Sequence, residues 1–169
     1  MLIETPRLRI TDFTPEMALA VHLGSLDADM QRFLPDEVFP TVADAENALA
    51  ALIACYEGDE GPFVHPCLLP DGTYIGYVQL VPLGDGTWEA GYHIVAEHTG
   101  NGYATEALQA FLPVMMARLH LTRVDALCVA ENTASLRVLE KCGFHRVHAG
   151  VGTYQGQERN VVQYTFHLG

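Results

Sequence analysis

The run from Trp88 to Leu119 constrains this chain more than any other stretch. Trp88 to Val95 reads as a strand. Gly102 to Leu119 reads as a helix, with Ala107, Leu108, Phe111, Leu112, Met115 and Leu119 at helical spacing. Between them lies His98-Thr99-Gly100-Asn101-Gly102-Tyr103-Ala104-Thr105. Glycine at such a junction lets the backbone adopt positive φ and approach a ligand closely. A helix opening off the turn aims its first free N–H groups, and the positive end of its dipole, at that spot. The segment is therefore a candidate anion cradle; the plainer reading is a tight strand-to-helix turn.

Rival phosphate motifs fit poorly. A dinucleotide turn wants G-x-G-x-x-G/A inside a parallel βαβ unit. Here the third position is Thr105, and the strands before the turn are joined by short loops. No Gly-Lys-Ser/Thr and no G-x-S-x-G is present, so neither a P-loop nor a hydrolase elbow is available.

The rest of the chain supplies a sheet and its covers. Leu8 to Asp12 alternates as a short strand, and Thr14-Pro15 opens a helix running to about Leu23. A second short helix, 27–33, stops before Pro35, and Asp36 to Pro40 is a loop. Thr41-Val42-Ala43-Asp44 has capping-box form ahead of the stripe Val42, Ala45, Leu49, Leu52, Ile53. Strands are expected over 63–69, 74–81 and 88–95, the first two ending at Pro70-Asp71-Gly72 and Pro82 to Gly86, which implies antiparallel pairing. After the long helix, expected to kink at Pro113 and continue past it, come a buried strand 124–129, a helix 133–141 closed by Gly143, and two strands, 144–151 and 160–168, around a hairpin at 152–156. The order predicts an α+β fold: one mixed, mostly antiparallel sheet of about seven strands with helices on both faces.

Charge narrows the partners. Nine basic and 21 acidic residues give a net charge of −12. This disfavours nucleic acid and favours a cationic or amine substrate. A phosphate-bearing cofactor must then rely on local backbone donors. The 169 residues, 49% of them apolar, suit a single domain spanning 1–169. There is no long uncharged apolar run and no basic-then-apolar leader, so a cytoplasmic protein off the membrane is expected. Cys55, Cys67, Cys128 and Cys142 form no CxxC pair and read as reduced core cysteines. The eight histidines are scattered; His145 and His148, three apart on a strand, should point to opposite faces, and no metal site is expected.

Two further stretches join the glycine turn: Asn132-Thr133-Ala134-Ser135-Leu136-Arg137-Val138-Leu139-Glu140-Lys141-Cys142-Gly143-Phe144, and Glu4-Thr5-Pro6-Arg7-Leu8-Arg9. In this order the three resemble the GNAT acetyltransferases, and within them the ribosomal-protein N-terminal acetyltransferases. The resemblance implies acetyl-CoA as co-substrate and transfer of its acetyl group to a primary amine, of a protein N-terminus or a small molecule. It implies that Ile94 and Val95 pair with the pantetheine amides. It also implies that the N–H groups across Thr99, Gly100, Asn101, Gly102, Tyr103, Ala104 and Thr105 hold the pyrophosphate. Asn132 would bond the pantetheine arm, its plainer role being a helix cap, and Lys141 would reach the phosphates. Glu89 is the implied general base, with His93 as the alternative. Ser135, three after Asn132, is the implied acid, because the position of the family's common acid tyrosine is Leu139 here. Thr99 stands where Gln or Arg is usual and Asn101 where Lys or Arg is common. Those departures motivate the other class of reading, a CoA-binding sensor or scaffold with little catalysis. The family's first helices and the loop between them line the acceptor site, which makes Asp27 to Phe39 a candidate lid. The resemblance implies a homodimer as well, with the last strands as its route.

Overall fold

In a computed structural model the described residues, 1–168, form one eight-stranded sheet ordered β1-β2-β3-β4-β5-β6-β8-β7. The strands are β1 (Leu2–Glu4), β2 (Arg9–Thr11), β3 (Phe63–Leu68), β4 (Tyr74–Pro82), β5 (Trp88–Ile94), β6 (Arg123–Val129), β7 (His145–Tyr154) and β8 (Gln157–His167). The helices are α1 (Ala18–Gly24), α2 (Ala28–Phe33), α3 (Val42–Cys55), α4 (Tyr103–Arg118) and α5 (Thr133–Lys141). The count exceeds the expected seven because β1 was not anticipated: three residues fold back on β2 across a turn closed by Thr5 N–H to Leu8 O, 2.9 Å. Such a strand is too short to show periodicity.

Helices cover both faces. Phe111, Leu112, Met115 and Met116 of α4 pack with Leu8, Phe63, Ile75, Val78 and Leu80 on one side, and α5 adds Leu139. Ala18 and Val21 of α1 and Ala45 and Leu49 of α3 pack with Val64 and Tyr77 on the other. Burying a side chain of this size contributes roughly 1.5–3 kcal/mol. The capping box of α3 forms: Asp44 N–H donates to Thr41 Oγ1 at 3.1 Å, and Thr41 N–H to Asp44 Oδ2 at 3.1 Å. Helix α4 runs unbroken through Pro113. Part of the expected 36–40 loop is a turn of 3₁₀ helix, Pro35–Glu37.

Two irregularities shape the sheet. Gly76, at φ +147, sits beside a bulge between β3 and β4; a Cβ there would lie 2.0 Å from the His93 carbonyl oxygen, so β4 and β5 can approach only at glycine. A second bulge, between Arg146 and His148, inserts a residue into β7. His145 then pairs with Thr165 and His148 with Gln163, which places both histidines on one face rather than on opposite faces. The last hairpin is tighter than expected: Gln155 and Gly156, at φ +46 and +76, make a two-residue turn between strands that run to Tyr154 and from Gln157.

The feature that makes room for a site lies at the centre. β5 and β6 are parallel and register only at Glu89 opposite Asp125. Beyond that pair the strands part, opening a cleft in the sheet.

Candidate active site

A cavity of about 700 Å³ runs through this cleft, from the N-terminus of α4, between β5 and α5, to the α2 side of the sheet. At its α4 end Gly100 and Gly102 both sit at φ +80, a conformation that disfavours any other residue. Gly102 caps α4 without a side-chain hydrogen bond, and the first intrahelical bond is Glu106 N–H to Gly102 O at 3.1 Å. The N–H groups of Tyr103, Ala104 and Thr105 precede it and have no helical partner. Thr99, Gly100, Gly102, Tyr103, Ala104 and Thr105 line the cavity, as do Arg137 and Lys141 on α5. Asn101 does not. Its amide donates to His98 O at 3.1 Å and Thr99 O at 3.2 Å, folding the turn on itself.

A brace from the chain's start holds that turn. Arg7 Nη1 donates to Asn101 O at 2.8 Å and Nε to Glu106 Oε1 at 2.8 Å, while its guanidinium lies 4.5 Å over the Tyr103 ring. Thr5 Oγ1 and Arg7 N–H also bond Glu106, at 2.5 and 3.1 Å. Burial raises the Glu106 pKa, but these bonds outweigh it and hold the carboxyl below its ordinary value. A charged carboxylate in the first turns of α4 would repel an anion; Arg7 cancels it. The Glu4-to-Arg9 motif marked this segment in the sequence, but not the residue it reaches.

Along the cleft, the free edge of β5 follows from its pairing. Val95 N–H bonds Ile75 O at 2.9 Å, so the Gly76–Ile94 pair is a non-hydrogen-bonded one. The N–H and C=O of Ile94, and by alternation of Tyr92 and Ala90, therefore face the gap toward β6. Val95, expected to join Ile94, does not share this edge: its N–H is spent on Ile75, and its C=O accepts from His98 N–H at 2.9 Å. At the far wall Asn132 Oδ1 caps α5, accepting from Ser135 N–H at 3.3 Å. Ser135 Oγ meets the Tyr92 hydroxyl at 2.5 Å and Cys128 Sγ at 3.2 Å, and Tyr92 also donates to Ser135 O at 2.9 Å. Leu139, where the family's acid tyrosine would stand, is fully buried core. Tyr92 brings a phenol to the serine from another element, which spacing along α5 could not reveal. Burial lifts Tyr92 above the tyrosine range and pushes the Cys128 thiol up to about 11.

The α2 end is acidic. Asp29, Asp36, Glu37 and Glu89 line it, with Gln79, Tyr154 and Gln155. Glu89 is half-buried; burial first, then Asp125 and Glu37, raise its pKa above the ordinary glutamate value. Glu37 escaped the sequence reading. It sits on the 3₁₀ turn inside the expected lid and accepts hydrogen bonds from the Tyr77 hydroxyl and, at 3.3 Å, from Gln79 Nε2. Burial raises its pKa against those two bonds. The 27–39 segment is tied down at its end as well, Phe39 N–H donating to Ser25 Oγ at 2.9 Å. His93 faces this side, nine-tenths buried, with Nε2 3.4 Å from Asp27 Oδ2 at the start of α2. Burial lowers its pKa and Asp27 opposes that. Asp27 also caps α2, accepting from Met30 N–H at 2.7 Å.

Comparison with known proteins matches residues 7–145 to the acetyltransferase (GNAT) domain. The uncharacterized N-acetyltransferase YnaD of Bacillus subtilis is 31% identical over 147 residues, 86% of this chain and 84% of that protein. A GNAT-family acetyltransferase from Bacillus anthracis superposes with a TM-score of 0.83 at 27% identity, covering 99% of this chain and 98% of its own. RimL, a ribosomal L7/L12 α-N-protein acetyltransferase solved in complex with coenzyme A, superposes at 0.86 and shares 17% identity over 99% of this chain and 98% of that one, a likeness of fold alone. Among the described residues no helix is long and apolar enough to cross a membrane.

Proposed function

The chain belongs to the GNAT acetyltransferases, and from that premise we propose that it transfers acetyl from acetyl-CoA to a primary amine by direct attack. One observation carries this reading: a single cavity joins the unpaired N–H groups of the α4 turn, the free edge of β5 and the carboxylate of Glu89. The residues fit the co-substrate. The α4 N–H groups and Lys141 suit phosphates, and the outward N–H and C=O of Ile94 suit an amide arm threaded between β5 and β6. Asn132 caps α5 through its carbonyl oxygen, which leaves its amide NH₂ to donate to that arm.

Acetyl-CoA supplies the acetyl group as an activated thioester. Glu89 takes a proton from the incoming ammonium and passes it to solvent, freeing the nitrogen lone pair. The raised pKa makes Glu89 a stronger base than an exposed carboxylate. As the C–N bond forms and the C–S bond breaks, Ser135 gives a proton to the departing sulfur and is reprotonated from the new amide's lost N–H proton. Tyr92, hydrogen-bonded to Ser135, shares that load. His93 is the less suited base, because it is nine-tenths buried and the Asp27 carboxylate stands 3.4 Å from its Nε2.

Free-thiol release from acetyl-CoA in the presence of a panel of primary amines tests the reading. Amine-dependent thiol release is expected; CoA binding without turnover on any amine would favour the sensor. A homodimer through β7 belongs to the same reading. β7 is one of the two edge strands of the described sheet, with Val147 and Val151 56% and 64% exposed. Light scattering is expected to give twice 18.5 kDa; the single-chain mass would overturn the dimer.

A further inference from the structure

The acceptor-facing side of β4 and β5 presents a ladder of paired residues. Tyr77 opposes His93, Gln79 opposes Gly91, and Val81 opposes Glu89. Paired residues share a face, so Glu89, Gly91 and His93 stand in line on the side covered by α1 and α3. Glu37 drops onto this ladder from the 3₁₀ turn, fixed by Tyr77 and Gln79. Its carboxylate thus lies toward Gly91 and His93, at least one alternation, or about 7 Å of strand, along from Glu89. Gly91 keeps this space open: a Cβ there would meet the Gln79 amide nitrogen at 2.7 Å, displacing the side chain that positions Glu37. Asp29 and Asp36 line the same end of the cavity, and the cations that line it, Arg137 and Lys141, stand on α5. Arg32 and Arg159 are both engaged by Glu131, at 2.9 and 2.6 Å.

Resting on the transfer reading above, we infer that the acceptor is a diamine or polyamine. Its reacting nitrogen lies at Glu89, and a second cationic centre, at least about four carbons away, is held by Glu37. Glu37 is then a specificity-determining residue that touches the acceptor without entering the chemistry. The step is the one already written: nitrogen to acetyl carbon bonds as carbon to sulfur breaks, one ammonium proton leaves through Glu89, and the second nitrogen keeps its charge on Glu37. An acceptor with an anionic group at that distance meets two carboxylates and is rejected. Burial raises the pKa of both Glu37 and Glu89, an imbalance that a dication relieves.

Three acceptors of one length separate the cases: 1,4-diaminobutane, n-butylamine and 4-aminobutanoate, compared by kcat/KM in acetyl-CoA-dependent thiol release. The diamine is expected to exceed butylamine by at least tenfold, and butylamine to exceed aminobutanoate. Glu37→Gln is expected to cut the diamine-to-butylamine ratio at least fivefold, mainly through the diamine KM, and Glu37→Asp to restore part of it. Equal use of diamine and butylamine by the native protein, an unchanged ratio in Glu37→Gln, or a peptide N-terminus used better than the diamine overturns the inference while leaving amine transfer in place. Absence of turnover with every amine, while calorimetry still detects CoA binding, overturns both. Should Glu37→Gln fail to fold, the native series and the Asp variant still decide.

Discussion

At the α4 end of the cavity the ligand-facing groups are backbone N–H donors; at the α2 end they are carboxylates. The first end is built from one contiguous stretch, Thr99 to Thr105, where two glycines at φ +80 turn the chain. The second is assembled from side chains far apart in sequence: Asp29 and Glu37 before α3, Gln79 on β4, Glu89 on β5, and Tyr154 and Gln155 at the last hairpin. In a chain of charge −12, partial charges fixed in the backbone, with Arg137 and Lys141 nearby, suit a phosphate-bearing ligand, while its surplus of carboxylates suits the opposite partner. On the proposed reading the two ends divide binding from chemistry, and substitutions at each should fail in different ways.

The largest expected effect lies at the acidic end. Glu89→Gln should lower kcat by about 10²–10³, within the range for a positioned base, and leave the KM for acetyl-CoA within about twofold. A loss confined to that KM would erase the division. The mirror experiment is Gly102→Glu, which puts a side chain and a negative charge where φ is +80 and an anion is expected. Calorimetry should find CoA affinity down by at least about tenfold, or 1.4 kcal/mol; an unchanged affinity would remove the turn from the site. Ser135→Ala, in the middle, should cut kcat by about tenfold at saturating acetyl-CoA, because Tyr92 remains to share the proton. The smallest effect sharpens the α4 end. Arg7→Ala leaves Glu106 uncompensated beside the anion site and should raise the acetyl-CoA KM by about two- to tenfold, with Arg7→Ala/Glu106→Gln recovering part of that loss. Equal defects in the single and double variants would reduce the pair to a structural clasp.

These ends also differ in how far they could be read from sequence. The glycine turn and the α4 stripe are local, and local periodicity and spacing describe them well. The helix 133–141, the capping box at Thr41 and the strands 63–68 and 74–82 were legible for the same reason. What escaped depends on contacts across the sheet. Glu37 lies in a segment with no periodicity, and only β4 gives it a role. Tyr92 reads as one strand residue among several until α5 brings Ser135 to it. Val95 and Ile94 differ because neighbouring strand residues send their N–H and C=O to opposite edges, and which edge is free shows only once β4 lies beside β5. The placing of His145 and His148 on one face comes from a bulge in β7.

In the proposed reaction one cavity holds the acyl donor and the acceptor on opposite sides of β5. A crystal structure of the protein with CoA tests it most directly. The pyrophosphate is expected on the N–H groups of Gly102 to Thr105 and the pantetheine arm between β5 and β6. The sulfur is expected within about 3.5 Å of Ser135 Oγ, with Glu89 and Glu37 left open to the acceptor side. CoA bound away from the α4 turn, or its sulfur on the far side of α5 from Glu89, would contradict it.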